Sequence, residues 1–255
     1  MGSIIENVDP WLIALTFGIA MISAWGFGWW RGQKQPPEPG QDPGVKFTDS
    51  TMALLGLLLG FTFSMSLSRH DQRRAMVVAE SNSINDFYTC ASLLKGTQRT
   101  ELLAAVREYA QAKLAITQKQ LTEQEFEAAM KRVSVLIARM TEWVDHAVSE
   151  GTPVVVPLTN SLNALVSSNA SRLAAYRDRL PCSILTLLFL SSIVPAFLMG
   201  RQQGAAPHVH ISGTVSFIFL VTAVLFVTLD LNLPASGTIT VSQEPMTRLI
   251  DSMQP

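Results

Sequence analysis

Several residues of this chain are of types that do chemistry, and each is weighed first by its spacing. His70 and Asp71 are adjacent, with Glu80 further along. On a helix, neighbouring side chains point about 100° apart, so His70 and Asp71 do not converge on a metal. His208 and His210 flank a valine with no third histidine or carboxylate nearby, which reads as a solvated loop that senses pH. Asp230 stands at the end of an apolar run, placed to pair with an interfacial cation or to cap the tail. Cys90 and Cys182 fit no metal or redox spacing. No GxSxG, P-loop, HExxH or dinucleotide fingerprint occurs. Convergent titratable groups cannot be assembled, so the sequence gives no support for an enzyme. It implies no cofactor and no metal.

The chemistry that does assemble lies on one segment. Along Thr51–Glu80, at about 100° per residue, Gly56, Gly60, Ser64 and Ser68 recur four apart on one face. Thr51, Thr62, Ser66, Arg69, Arg73 and Glu80 fall near the opposite face. The first set is a small-residue ladder of the kind that lets helix backbones approach closely in lipid, and is the expected packing face. The second set is polar and becomes cationic towards its end. If copies of the segment surround an axis, Thr62 and Ser66 would line a water-filled path. Arg69 and Arg73 would then form cationic rings that attract anions. Phe61 and Phe63 would supply an apolar constriction under a different rotation of the helix. The plainer reading stays open: Ser and Thr bond their own backbone, and Arg69, Arg73 and Arg74 reach lipid headgroups.

The surrounding chain shows what must hold this segment. Of 255 residues, 48% are hydrophobic and only 15% charged, and the charge is nearly absent from four long runs. A charged side chain at bilayer depth costs several kcal/mol, so this is a membrane pattern. The spans are about 11–30, 51–68, 181–200 and 211–229. Trp11, Trp29 and Trp30 mark the interfaces of the first. The N-terminus has no Lys or Arg before that run, which argues against a cleaved leader, and Glu6 spoils the acylation pattern begun by Gly2. Net charge is −1, giving no basic excess for nucleic acid.

The fold class predicted is therefore an all-α membrane protein, with four transmembrane helices and a helical cytoplasmic domain inserted between the second and third. Residues 1–50 form the first span and a Pro-rich loop (RGQKQPPEPGQDPGVK). Residues 51–95 form a long second helix, with no breaker before Lys95-Gly96, that reaches about 65 Å. Residues 96–180 form the helical domain. Within it, Thr122 to Glu125 reads as a capping box and Gly151-Thr152-Pro153 as a break. Residues 181–232 carry the third and fourth spans, and 233–255 a largely extended tail with a short terminal helix. Lys and Arg set the orientation. A cytoplasmic middle domain puts seven flanking arginines inside (69, 73, 74, 172, 177, 179, 248), against Arg31, Lys34, Lys46 and Arg201 for the reverse. Termini and domain are thus expected in the cytoplasm.

The stretch FTDSTMALLGLLLGFTFSMSLSRHDQRRAMVVAESNSI, Phe47–Ile84, resembles the core of the bestrophin-like family of bacterial membrane proteins. The tail LDLNLPASGTITVSQEPM, Leu229–Met246, resembles that family's C-terminal signature. The resemblance implies a distant relation to the bestrophin anion channels. From those follow a homo-oligomer, of five subunits by analogy, a bacterial inner membrane, small anions such as chloride as the transported species, and a pore lined by the second span. The tail departs from true bestrophins in carrying no acidic cluster suited to a calcium clasp. The rival expectation is a membrane interaction or sensing protein without a pore, whose helical domain docks a partner.

Overall fold

The computed structural model describes residues 9–34, 45–118, 121–206, 211–233 and 237–253. The His208/His210 loop, the Gly2 and Glu6 positions and most of the Pro-rich loop lie outside them. Eight helices are found among the described residues: α1 (Pro10–Lys34), α2 (Val45–Ser92), α3 (Gly96–Gln118), α4 (Glu123–Ser149), α5 (Val155–Arg177), α6 (Cys182–Ala205), α7 (Ile211–Asn232) and α8 (Glu244–Ser252). No strand occurs among these residues. Four helical stretches are long and apolar enough to cross a membrane: Pro10–Lys34, Phe47–Ser92, Val155–Ala205 and Ile211–Asn232.

The helix boundaries have local causes. Gly96 at φ 64° and Gly151 at φ 72° adopt the left-handed conformation open to glycine, and they separate α2 from α3 and α4 from α5. The capping box expected at the start of α4 is formed: Thr122 accepts from the Glu125 N–H, and the Glu125 carboxylate accepts from the Thr122 N–H at 2.8 Å.

The chain divides into two compact units. The first comprises Met1–Ser68 and Arg179–Leu233. Its apolar centre joins Phe17 and Met21 of α1, Leu55 and Leu59 of α2, Leu188 and Ala196 of α6, and Ile218, Val221 and Leu225 of α7. Exposed Leu54, Leu57, Leu190, Phe219 and Leu220 clothe it in apolar surface, as lipid requires.

The closest approach in this unit is between α1 and α6. A Cβ added at Gly28 would stand 2.1 Å from the Phe197 carbonyl oxygen, and one at Gly32 2.2 Å from that of Arg201. On the facing helix, Gly200 and Gly204 would meet the Trp25 and Trp29 carbonyls at 2.0 and 2.2 Å. Two glycine pairs, each spaced four apart, thus let the two backbones touch. Polar side chains fasten the same end. Trp25 Nε1 donates to Gln203 Oε1 at 2.9 Å, and Gln203 Nε2 donates to Thr214 Oγ1 at 2.7 Å, tying α1, α6 and α7.

The second unit comprises Arg69–Asp178 and Pro234–Pro255. Its core runs from Ile84, Phe87 and Ala91 of α2 through Leu102, Val106 and Tyr109 of α3, Leu136 and Met140 of α4, and Leu158 and Leu165 of α5. Met246, Leu249 and Met253 of α8 complete it, so the tail returns as a structural part of this unit. Thus part of the tail beyond the last span is helical and buried, through the amphipathic spacing of those three residues.

Candidate functional site

The seam of α2 decides how its polar residues are used. Apart from Thr48 and Ser81, the buried positions are Leu55, Leu59, Thr62, Ser66, Arg73, Val77, Glu80, Ile84, Phe87 and Ala91. Their steps of three, four and seven residues make one continuous stripe, the periodicity of a helix packed along its length. Thr62 is 4% exposed and Ser66 is fully buried, so both are covered within the subunit. Thr62 Oγ1 donates to the Leu58 carbonyl at 2.6 Å, satisfying itself on its own helix.

Arg73 is also turned inward. Its Nε donates to the Ala175 carbonyl at 3.1 Å and its Nη2 to the Asp178 carbonyl at 2.7 Å. It thereby caps the C-terminal carbonyls of α5, where a cation is favoured. Arg69 is half-buried, and its Nε lies 3.4 Å from the Asp178 carboxylate. Both arginines of the expected cationic ring are therefore engaged inside the second unit.

The opposite face of α2 is open. Gly56, Gly60, Ser64 and Ser68 are exposed, and a Cβ at Gly56 or Gly60 would meet nothing within 4 Å. Among the described residues nothing packs on Gly56 or Gly60, whereas a closed ladder lies in α1 and α6. Phe61 is 64% exposed on the open side, and Phe63 is half-buried at its margin. From Leu54 to Ser68 the helix carries no charge of either sign.

Sequence reasoning placed Glu80 on the polar stripe but not its companions. Glu80 is fully buried, and three residues reach its carboxylate. Tyr109 donates its hydroxyl at 3.0 Å, the Lys113 ammonium lies at 3.0 Å, and Arg172 Nη1 pairs with the second oxygen. Lys113 also donates to Asn169 Oδ1 at 2.9 Å, and Arg172 Nη2 to Gln243 Oε1 at 2.8 Å. One carboxylate thus gathers α2, α3, α5 and the tail. Burial pushes the Lys113 ammonium below its ordinary pKa, against the opposing pull of Glu80. Burial first, then the Glu80 charge, pushes the Tyr109 phenol well above its ordinary value.

Among the described residues no group of three or more His, Cys, Asp and Glu is disposed to hold an ion, and His70 Nδ1 stands 3.9 Å from Asp71. Cys90 and Cys182 are both free thiols. Asp230 is buried at the end of α7.

Four apolar crossings joined to helices with a buried ionic centre define an all-helical integral membrane protein without strands among its described residues. A family model described as bestrophin-like domain matches residues 14–246, and the chain belongs to that family. Among solved structures, it is similar to a mutant bacterial bestrophin homologue from Klebsiella pneumoniae, at 12% identity and a TM-score of 0.63, over 99% of this chain and 96% of that one. Crystal structures of a membrane protein give a TM-score of 0.64 at 11% identity, over 95% and 96% of the two chains, and 0.61 at 12%, over 96% of each. No curated protein sequence matches the chain.

Proposed function

We propose that this chain is one subunit of a homo-oligomeric channel that conducts small anions through a bacterial inner membrane, and that α2 borders the conduction path. The termini and the Arg69–Asp178 unit lie in the cytoplasm by the arginine count, and five subunits follow from the bestrophin analogy. The observation that carries the reading is the open face of α2. A lipid-facing helix has no use for Gly56, Gly60, Ser64 and Ser68 in a row, because lipid favours large apolar side chains there. A second copy or a water-filled path gives the row a role. With Thr62, Ser66 and Arg73 directed inward, Phe61 is the residue of the candidate set best placed to narrow the path, and Phe63 borders it. The absence of acidic side chains from Leu54 to Ser68 leaves no fixed repulsion for an anion.

Purified protein in planar bilayers is expected to give chloride current. Phe61→Ala should raise the unitary conductance several-fold, and Thr62→Val should leave it within about 20%, since its hydroxyl bonds its own helix. No current in any salt, voltage or pH would sink the reading. A response to Thr62→Val matching that to Phe61→Ala would reassign the path to the seam. The second reading, a non-conducting sensor or docking protein, is favoured by the tail built into the core of the Arg69–Asp178 unit. A monomeric or dimeric mass in detergent would select it.

A further inference from the structure

Among the described residues of the second unit, three buried polar side-chain atoms meet no partner: Arg69 Nη1, His70 Nε2 and Arg107 Nε. The first two stand on consecutive residues of α2. Arg107 stands apart on α3, with its Nη2 on the Tyr88 hydroxyl at 2.9 Å. Arg69 Nε lies 3.4 Å from the half-exposed Asp178 carboxylate, and His70 Nδ1 lies 3.9 Å from that of exposed Asp71. Each side chain is thus engaged at one nitrogen and unmet at another. A polar group shut from water without a partner is unfavourable. The two side chains as wholes are still 18% and 16% exposed, so a change of rotamer brings either nitrogen to an acceptor outside. With a proton kept on Nδ1 by Asp71, His70 Nε2 donates in the imidazolium form, which a neighbouring anion favours.

Their depth selects the acceptor. Asp49 and Arg69 bound a charge-free stretch of α2. At 1.5 Å per residue it rises about 28 Å, close to the roughly 30 Å of bilayer hydrocarbon. Arg69 and His70 therefore emerge at the level of the headgroup phosphates. Arg73, one turn further, is held by the Ala175 and Asp178 carbonyls, so it adds no open donor there.

From this geometry we propose that Arg69 and His70 form a site for a phosphate group, that of an anionic lipid headgroup, with Arg69 Nη1 and His70 Nε2 as its donors. Phosphate fits because it offers several acceptor oxygens and a charge that a guanidinium matches. The depth of the pair favours lipid over free phosphate as the source. The site depends on α2 crossing the membrane and not on conduction.

The test is native mass spectrometry of the full chain released from micelles that hold equal phosphatidylglycerol and phosphatidylcholine with the same acyl chains. The wild-type chain should retain phosphatidylglycerol at least threefold over phosphatidylcholine. Arg69→Gln combined with His70→Gln should abolish the preference. Arg74→Gln removes an exposed cation one turn on and should keep it. Equal loss in Arg74→Gln would reduce the effect to surface charge and overturn the site, as would an undiminished preference in the double variant. A second arm compares the thermal midpoint of the delipidated chain in inorganic phosphate and in sulfate at equal ionic strength. Stabilisation by phosphate alone, lost in the double variant and without a lipid preference, supports the phosphate site with solution as its source; a response to neither source overturns it. If the double variant does not fold, a map of the wild-type chain in phosphatidylglycerol nanodiscs decides. Phosphate density within hydrogen-bond distance of Arg69 supports the site, and its absence there overturns it.

Discussion

The two units hold their helices together by different physics. In the first, α1 meets α6 with four glycines facing backbone carbonyls at distances no side chain tolerates. In lipid there is no gain from hiding apolar surface from lipid, so contact area and close backbone approach do the work. In the second, an apolar core surrounds a carboxylate that three donors and cations share. There, burial from water drives packing, and the ionic centre fixes which helix goes where. The contrast teaches that the same residue types take opposite roles according to solvent. Glycine is the adhesive of one unit, while in the other it marks the ends of helices.

The sharpest way to break the comparison is at Glu80. Glu80→Ala leaves Lys113 and Arg172 buried without their acid, and loss of one member of such a group costs about 3–5 kcal/mol. Hydrogen exchange should report the loss throughout the Arg69–Asp178 unit. A variant as stable as the parent would mean that the centre is well hydrated and contributes little.

A second contrast lies inside the first unit. Gly28→Leu forces a side chain into the Phe197 carbonyl and should cost about 1–3 kcal/mol or more, read as a lowered thermal midpoint in detergent. Gly56→Leu, on the open ladder, should change subunit stability by no more than about 0.5 kcal/mol, while altering the native mass if copies meet there. Equal damage from the two changes would erase the distinction between a closed and an open ladder.

A third effect depends on pH and concerns Tyr109. Its phenol keeps its proton in the folded chain beyond the ordinary value of 10.0, whereas the unfolded chain releases it near that value. Above about pH 10 the folded state therefore binds more protons, and stability falls as pH rises. Tyr109→Phe removes that slope, worth about 1.4 kcal/mol per pH unit for one proton. Its baseline cost at neutral pH is about 1–2 kcal/mol, from the donor lost to Glu80. The depressed Lys113 works in the opposite direction but is present in both proteins, so the difference in slope isolates the tyrosine. An unchanged alkaline slope would place the phenol in water.

The parts legible in the sequence were those with local causes. Charge is excluded from the spans, Thr122 and Glu125 write their cap in four letters, and Gly96 and Gly151 punctuate the helices. The period of the α2 stripe was legible too, but its direction was not. A polar stripe reads the same whether it faces water or a buried counter-charge. Only its continuation into Ile84, Phe87 and Ala91 identifies it as a seam. The glycine pairs of α1 and α6 had a readable signal, a spacing of four repeated in two separate spans, but Gly56 and Gly60 of α2 carry the same spacing, so the sequence does not tell a closed pair from an open one. The Glu80 centre had none, for Tyr109 is 29 residues away and Arg172 is 92. No spacing rule reaches across such distances.

One consequence concerns biosynthesis. The unit containing Glu80 is built from two stretches of chain separated by α6 and α7, and its core lacks Met246, Leu249 and Met253 until the second stretch has been made. During translation α3, α4 and α5 leave the ribosome early with an apolar gap that nothing yet fills. Final closure of that gap must wait for the last two spans to be synthesised, so assembly of this unit is timed by the membrane segments, although its residues are mostly made before them.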